Sequence, residues 1–274
     1  MIKMLKTMFA AIALATATGT VAGACTPSPD VKTLKPGVLT VAAQTYRPFS
    51  IVESDGSVTG VDGEILKQIA KLECLSIETI SVDAAAALNY VQTGRADVTV
   101  GDWYRTKARS EVLFMSDPLY VDQMGIVSKE GATKLADLEG KTVGTVQTNL
   151  WVADLKKLYG SKLKTYPVLV QVQQDLKNGR IDAFVESYSI AMLAEKAGEL
   201  GGFKAAVAGP DERVVSSKFP GQGSFPMNKD NESLLKAFNK RIAELHSDGF
   251  IKKTLVQFGL SESAGNTGDP RWIE

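Results

Sequence analysis

The side chains able to do covalent or acid–base chemistry are few in this sequence. There is one histidine, His246, in a lysine- and glutamate-rich segment near the C-terminal end. There are two cysteines, Cys25 and Cys74. No Ser-His-Asp set can be assembled around His246, and Cys74 closes an amphipathic segment without a histidine partner. Two cysteines also exclude a disulfide-rich scaffold and any multi-cysteine metal site. No cofactor is expected. The remaining equipment suits the holding of a small charged molecule. A planar guanidinium such as that of Arg109 grips a carboxylate through two parallel hydrogen bonds. Thr148 and Asn149 follow a strand-like run and open a helix-like one, where free N–H groups and the helix dipole favour an anion. Asp102 and Glu186 each follow an apolar strand-like run, and either acid can accept an ammonium or serve as a general acid. Trp103 stands at the end of the first of these runs, placed as a platform for a ligand.

The elements that must position these residues begin after a targeting segment. Lys3 and Lys6 supply a basic start, the run from Met8 to Thr18 is apolar, and Ala22-Gly23-Ala24 gives a small-residue cleavage site. The expectation is an exported protein with residues 1–24 as signal peptide. No later run approaches 18 apolar residues, so a membrane span is not expected in the remainder. Basic and acidic residues balance at 31 each, which gives no reason to expect a nucleic-acid or acidic-membrane partner. Cys25 would be the first mature residue, ahead of the polar, proline-rich Thr26-Pro27-Ser28-Pro29-Asp30. It looks like a bacterial lipoprotein attachment site, with Ala22 where Leu or Val is usual. Lipidation of Cys25, a Cys25–Cys74 disulfide and two free thiols all stay open.

Strand and helix signals alternate from Val38 onward. Val38–Ala42, Ile77–Val82 and Ala96–Val100 read as strands, and Glu64–Cys74 as a helix with Ile65, Ile69 and Leu72 on one face. Asp83 is a good N-cap for the alanine-rich helix after it. A second set follows: strands Lys141–Val146, Lys164–Val168 and Ile181–Val185, with helices Asn149–Tyr159 and Gln171–Asn178. The alternation argues for βαβ units on mostly parallel sheets. The two sets echo each other. Gly94-Arg95-Ala96-Asp97 and Gly179-Arg180-Ile181-Asp182 both leave a helix and enter a strand. Two related α/β lobes follow from that match. Helices over Glu232–Ser247 and Phe250–Phe258 close the pattern, and the polar tail from Ser261 is expected to be mobile apart from the surroundings of Trp272.

Over residues 37 to 258 the sequence resembles the periplasmic amino-acid-binding proteins of ABC importers, extracellular solute-binding family 3. Tyr46-Arg47-Pro48-Phe49, Gly60-Val61-Asp62-Gly63-Glu64-Ile65, Thr106-Lys107-Ala108-Arg109, Met115-Ser116-Asp117-Pro118-Leu119-Tyr120 and Leu138-Glu139-Gly140-Lys141-Thr142-Val143-Gly144 carry the resemblance. It implies the two-lobed type II periplasmic binding protein fold, α/β with mixed, mostly parallel sheets and a hinge of two crossing strands. Lobe 1 would be 31–124 plus 219–274, and lobe 2 would be 125–218. A monomer would capture an amino acid or related carboxylate in the cleft and deliver it to an ABC transporter permease. The chain would be periplasmic or otherwise extracytoplasmic, touching the membrane only through a lipid on Cys25.

The same resemblance assigns roles. Arg109 matches the carboxylate-binding arginine, while Arg105 and Lys107 read as surface residues at a helix start. Tyr46 would wall the ligand side chain, with Phe49 in the core beneath it. Gly101, Asp102 and Trp103 lie where relatives hold the ammonium with a carbonyl and a small hydroxyl residue. Thr148 and Asn149 would add backbone donors. Relatives place an aspartate five residues after the Asp of the G-x-x-D turn; here that position is Ser187, with Glu186 before it. Asp102 from lobe 1, or Glu186 through a local bend, would then take over the ammonium. An enzyme of the cyclohexadienyl-dehydratase type, using Glu186 or Asp102 as acid, and a soluble ligand sensor for a separate receptor are the alternatives.

Overall fold

A computed structural model describes residues 25–273. The signal-peptide expectation falls on residues outside those described. The first half runs β1 (Val38–Ala43), β2 (Ile51–Val52), β3 (Val58–Thr59), α1 (Gly60–Leu72), β4 (Ser76–Ser81), α2 (Ala84–Gln92), β5 (Val98–Val100), β6 (Trp103–Tyr104), α3 (Lys107–Val112), β7 (Leu113–Met115) and β8 (Tyr120–Asp122). Then come β9 (Met124–Ser128), β10 (Val143–Val146), α4 (Val152–Tyr159), β11 (Leu163–Tyr166), α5 (Leu169–Lys177), β12 (Ala183–Ser187), α6 (Tyr188–Lys196) and β13 (Lys204–Val207). The chain returns through β14 (Gly221–Ser224) and β15 (Pro226–Asn228) to α7 (Glu232–Ser247) and α8 (Phe250–Gln257).

Two five-stranded sheets result, ordered β4-β1-β5-β15-β7 and β11-β10-β12-β9-β13. In each, the first strand pairs parallel with two neighbours and an antiparallel strand follows. The sequence echo has a structural counterpart. Gly94 and Gly179 both sit at positive φ, 69° and 68°, just after α2 and α5, where glycine avoids the steric cost of a left-handed conformation. Asp97 then accepts from the Thr40 N–H at 2.8 Å, and Asp182 from the Thr142 N–H at 2.7 Å. Each aspartate ties its strand entry to the start of the sheet's first strand. Leu39, Val41, Ile65, Leu66, Phe225 and Phe238 belong to the core of the first sheet, and Val127, Val172, Ile181 and Phe184 pack on the second.

The chain passes from one sheet to the other twice. β8 leads out and β14 leads back, and the two pair antiparallel, with Gly221 opposite Asp122 and Gly223 opposite Tyr120. Glycine is required at both β14 positions by close approach. A Cβ on Gly223 would meet the Tyr120 ring at 2.5 Å, and one on Gly221 would meet the Tyr104 ring within 2.5 Å.

Several expectations are corrected. α1 begins four residues before Glu64, because the Pro48 and Phe49 carbonyls accept the Val61 and Asp62 N–H groups and so satisfy its first turn. α4 begins at Val152, after a turn in which Asn149 donates to the Val146 carbonyl and Val152 to that of Asn149. The tail is anchored: Ile273 is buried, its N–H bonds the Arg105 carbonyl, and its carbonyl accepts from the Lys107 N–H. Arg105 is not a surface residue. Its guanidinium donates to the Met115 and Ser116 carbonyls and lies 4.2 Å from the centre of the Trp272 ring. Cys25 is joined to Cys74. A sulfur in a disulfide cannot also carry a thioether lipid, so the lipidation expectation is set aside for this state of the chain. Among the described residues no helix is long and apolar enough to cross a membrane.

Candidate functional site

At the carboxyl ends of β1, β5 and β10 lies a small cavity between the sheets. Tyr46, Gly101, Asp102, Trp103, Arg109, Thr148 and Asn149 all line it, joined by Gln44, Trp151 and the segment Pro167–Leu169. Its volume is about 90 Å³. Seven of the nine expected site residues are therefore brought together. Glu186 and Ser187 are not on its surface.

Arg109 is positioned by α3. Thr106 caps that helix by accepting from the Arg109 N–H, and the guanidinium donates to the Tyr104 carbonyl at 2.8 Å. The guanidinium also lies 5.1 Å from the centre of the Trp103 ring. Among the described residues no carboxylate pairs with it. Burial pulls its pKa down to about 10, so it remains a cation at neutral pH. Trp103 is a platform for this arginine. It is buried against Ala42, Ala84, Ala87 and Leu113, and its indole N–H bonds Thr99.

The Gly101–Asp102 corner is an unusual piece of backbone. Asp102 has φ of 57° and Gly101 φ of 132°, both in the region where side chains are strained. Buried Asp62 holds the corner by accepting both N–H groups on Oδ2, at 2.8 and 2.9 Å, while Oδ1 takes the Tyr120 hydroxyl at 2.6 Å. Asp102 lines the cavity, and its Oδ1 is buried without a donor. Burial, then the neighbouring charges of Asp122 and Asp62, push the Asp102 pKa well above the ordinary carboxylate range. Asp122 itself is fully engaged by the Tyr104 hydroxyl at 2.8 Å and the Ser189 hydroxyl at 2.6 Å.

On the second lobe, β12 stays a strand through Ser187. The local bend that would bring Glu186 to an ammonium is not made. Ser187 is the N-cap of α6, its hydroxyl accepting from the Ile190 N–H. Glu186 is wholly buried, with Oε1 bonded by the Tyr46 hydroxyl (2.6 Å), the Ser187 N–H (2.8 Å) and Asn149 Nδ2 (3.1 Å). Its pKa is pushed up to about 7 by burial, which those three bonds only partly offset. Tyr46 thus reaches across the cavity to the other lobe, above Phe49, which is core as expected. Thr148 and Asn149 lie in a turn before α4, so the expected helix dipole does not act directly at either residue. His246 bonds the Pro118 carbonyl and lines no part of the cavity.

The roles of Asp62, Tyr104 and Asp122 were not foreseen from the sequence. Asp62 was visible only as part of a motif, and its partners lie about 40 residues away in the chain.

Two α/β sheets of like topology, two crossing strands and a cavity between them define a two-lobed solute-binding protein with the type II periplasmic fold. The family model for bacterial extracellular solute-binding proteins, family 3, matches residues 39–261, and the chain belongs to that family. It is 31% identical over 224 residues to the L-cystine-binding protein TcyJ of Escherichia coli strain K12, a match spanning 79% of this chain and 80% of that one. It is 27% identical to the lysine/arginine/ornithine-binding periplasmic protein of the same organism, across 78% of this chain and 84% of that one. An ancestral arginine-binding protein bound to arginine superposes with a TM-score of 0.69 at 26% identity, covering 81% of this chain and 98% of its own. Proteins of this family act outside the cytoplasm and hand their solute to ABC transporter permeases.

Proposed function

We propose that this chain captures a free α-amino acid in the cavity and delivers it to the permease of an ABC importer. The observation that carries this is the pairing of Arg109, a cation with no carboxylate partner among the described residues, with Asp102, a buried acid with one oxygen unpaired. The neighbouring Asp102 favours the charged form of Arg109. An α-amino acid presents a carboxylate and an ammonium a few ångströms apart, and burial of both is tolerable only if each meets an opposite charge. The α-carboxylate pairs with the Arg109 guanidinium and the α-ammonium with Asp102. That replaces the missing lobe-2 aspartate from lobe 1. Lobe 1 then comprises residues 31–124 and 219–274, and lobe 2 residues 125–218, with β8 and β14 as the hinge. Names of relatives support an amino-acid ligand, through cystine in one and lysine, arginine or ornithine in another.

In this reading the chain binds without turnover. Its buried acids serve as charge partners, and its histidine is committed elsewhere. The test is a thermal-shift screen of amino acids followed by titration calorimetry. A selective amino acid raises the unfolding midpoint by mass action, and Asp102→Asn abolishes the shift. A screen in which no α-amino acid moves the midpoint, or one in which Asp102→Asn binds as the parent does, overturns the reading.

A further inference from the structure

Arg109 stands on a helix that cannot hold itself in place. α3 is six residues long, Lys-Ala-Arg-Ser-Glu-Val, and none of them is buried. So short a helix has little stability of its own in water, and it has no apolar stripe to seat it on a core. Its position is therefore set at its two ends. The C-terminal end passes straight into β7, where Leu113 is buried and pairs with Asn228. The N-terminal end is residues 105–107, where Thr106 caps the helix by accepting from the Arg109 N–H.

What holds residues 105–107 comes from β14 and from the tail. The Arg105 N–H donates to the Gln222 carbonyl at 2.9 Å. The Ile273 N–H donates to the Arg105 carbonyl at 3.0 Å, and the Ile273 carbonyl accepts from the Lys107 N–H at 2.9 Å. Thr106 and Ile273 thus lie side by side in a parallel bridge. The Ile273 side chain is buried in one apolar cluster with Tyr104 and Met124, and Trp272 covers the Arg105 guanidinium. The tail is fixed in turn by the buried side chain of Gln222. Its amide nitrogen donates to the Thr267 carbonyl at 3.0 Å and the Asp269 carbonyl at 2.9 Å, and its oxygen accepts from the Arg271 N–H at 2.8 Å. A side-chain amide supplies this combination of two donors and an acceptor; a carboxylate or an alkyl group does not. Residues 262–273 lie beyond the segment matched by the family model, 39–261, so their role has to be read from their own contacts.

We infer that Gln222 and tail residues 267–273 are positioning elements for Arg109. None of them lines the cavity. They hold the backbone of residues 105–107 against β14, one of the two strands that cross between the lobes. Through the Thr106 cap they fix where the guanidinium meets a ligand carboxylate. The requirement is strict, since paired guanidinium–carboxylate bonds depend on direction as well as charge. This rests on the amino-acid reading above, in which Arg109 takes the α-carboxylate.

The experiment is a double-mutant cycle read by calorimetry, with the common L-amino acid that gives the parent its largest midpoint shift. Ile273→Asp expels the residue from its buried seat. Arg109→Lys keeps the charge and removes the directional partner. Ile273→Asp alone should weaken binding about tenfold. In the Arg109→Lys background the same change should cost less than about twofold, because the geometry it protects is already lost. Ile273→Val keeps the seat filled and should bind within about twofold of the parent. Should Ile273→Asp fail to fold, Trp272→Ala carries the same cycle. That ring is 43% exposed, so its removal opens no core cavity. A loss of about threefold is expected in the parent, and no loss in the Arg109→Lys background. Equal losses in both backgrounds, or parental affinity in both tail variants, overturn the inference and leave amino-acid capture intact. If no α-amino acid binds the parent, the capture reading fails and this one falls with it.

Discussion

The Tyr46 hydroxyl donates to Glu186 Oε1 at 2.6 Å, and this bond joins a loop after β1 of the first sheet to β12 of the second. It crosses between the two sheets, so a hinge opening that separates them would break it. Binding affinity in a hinged protein includes the free energy of closure, and a bond made only in the closed state contributes to both. Tyr46→Phe keeps the ring and its stacking on Phe49 and removes only this bond. Calorimetry should show affinity for the preferred ligand lowered by about tenfold, the scale of one hydrogen bond to a charged group. Unchanged affinity would mean the bond does not contribute to closure.

Arg109 leads to a sharper expectation. Its guanidinium is already committed at one nitrogen to the Tyr104 carbonyl and rests on Trp103. That fixes the plane in which the remaining donors can meet a carboxylate. Lysine supplies the charge but neither the plane nor the paired donors. Arg109→Lys should therefore weaken binding by roughly 100-fold or more, with little change in the melting temperature of the unliganded protein. Near-parental affinity in the lysine variant would show that charge alone suffices.

The parts of this arrangement that were legible in the sequence are the local ones. Arg109 follows its own helix cap by three residues. Gly94 and Gly179 announce matching helix ends, and the aspartates after them make matching bonds. The parts that were not legible depend on residues brought together from far along the chain. The corner at Gly101 and Asp102 is shaped by Asp62, and no local pattern predicts a carboxylate accepting two N–H groups from another loop. Arg105 read as exposed because only the returning tail, with Trp272 over its guanidinium, makes it buried. Ser187 sat at a position usually given to a ligand contact, and only the direct start of α6 after β12 shows it to be a cap.

Glu186 also makes stability depend on pH. Its folded-state pKa is about 7, against an ordinary value of 4.5. Between those values the folded protein binds more protons than the unfolded chain, so stability falls as pH rises. The contribution is fully present below pH 4.5 and is lost as pH passes 7. At one pKa unit per 1.36 kcal/mol, the loss is on the order of 3 kcal/mol at most. Calorimetric melting without ligand should show the midpoint dropping between pH 5 and pH 8, by roughly 5–10 °C from this group. Asp102, raised in the same direction by burial and by Asp122, adds to the slope. Glu186→Gln should flatten the curve, whatever constant offset the substitution introduces. An identical slope in parent and variant would place the titration elsewhere.

The Cys25–Cys74 bond acts on stability rather than on the site. It closes a loop of 49 residues in sequence and lies beside a buried ion pair. Arg241 donates to Glu73 at 2.6 Å and to the Thr26 carbonyl at 2.6 Å, and Ser28 donates to Glu73 from its N–H and its hydroxyl. The cross-link limits the unfolded chain, a contribution of roughly 2–4 kcal/mol for a loop of this size, while the ion pair holds the same segment in the folded state. None of these residues lines the cavity. Reduction, or Cys25→Ser with Cys74→Ser, should lower the melting temperature by about 5–10 °C and leave ligand affinity within a factor of two. Thiol alkylation of the folded, unreduced protein should label neither cysteine. Labelling of Cys74 without reductant would show that the sulfur of Cys25 is engaged otherwise, and would restore a covalent lipid as its fate.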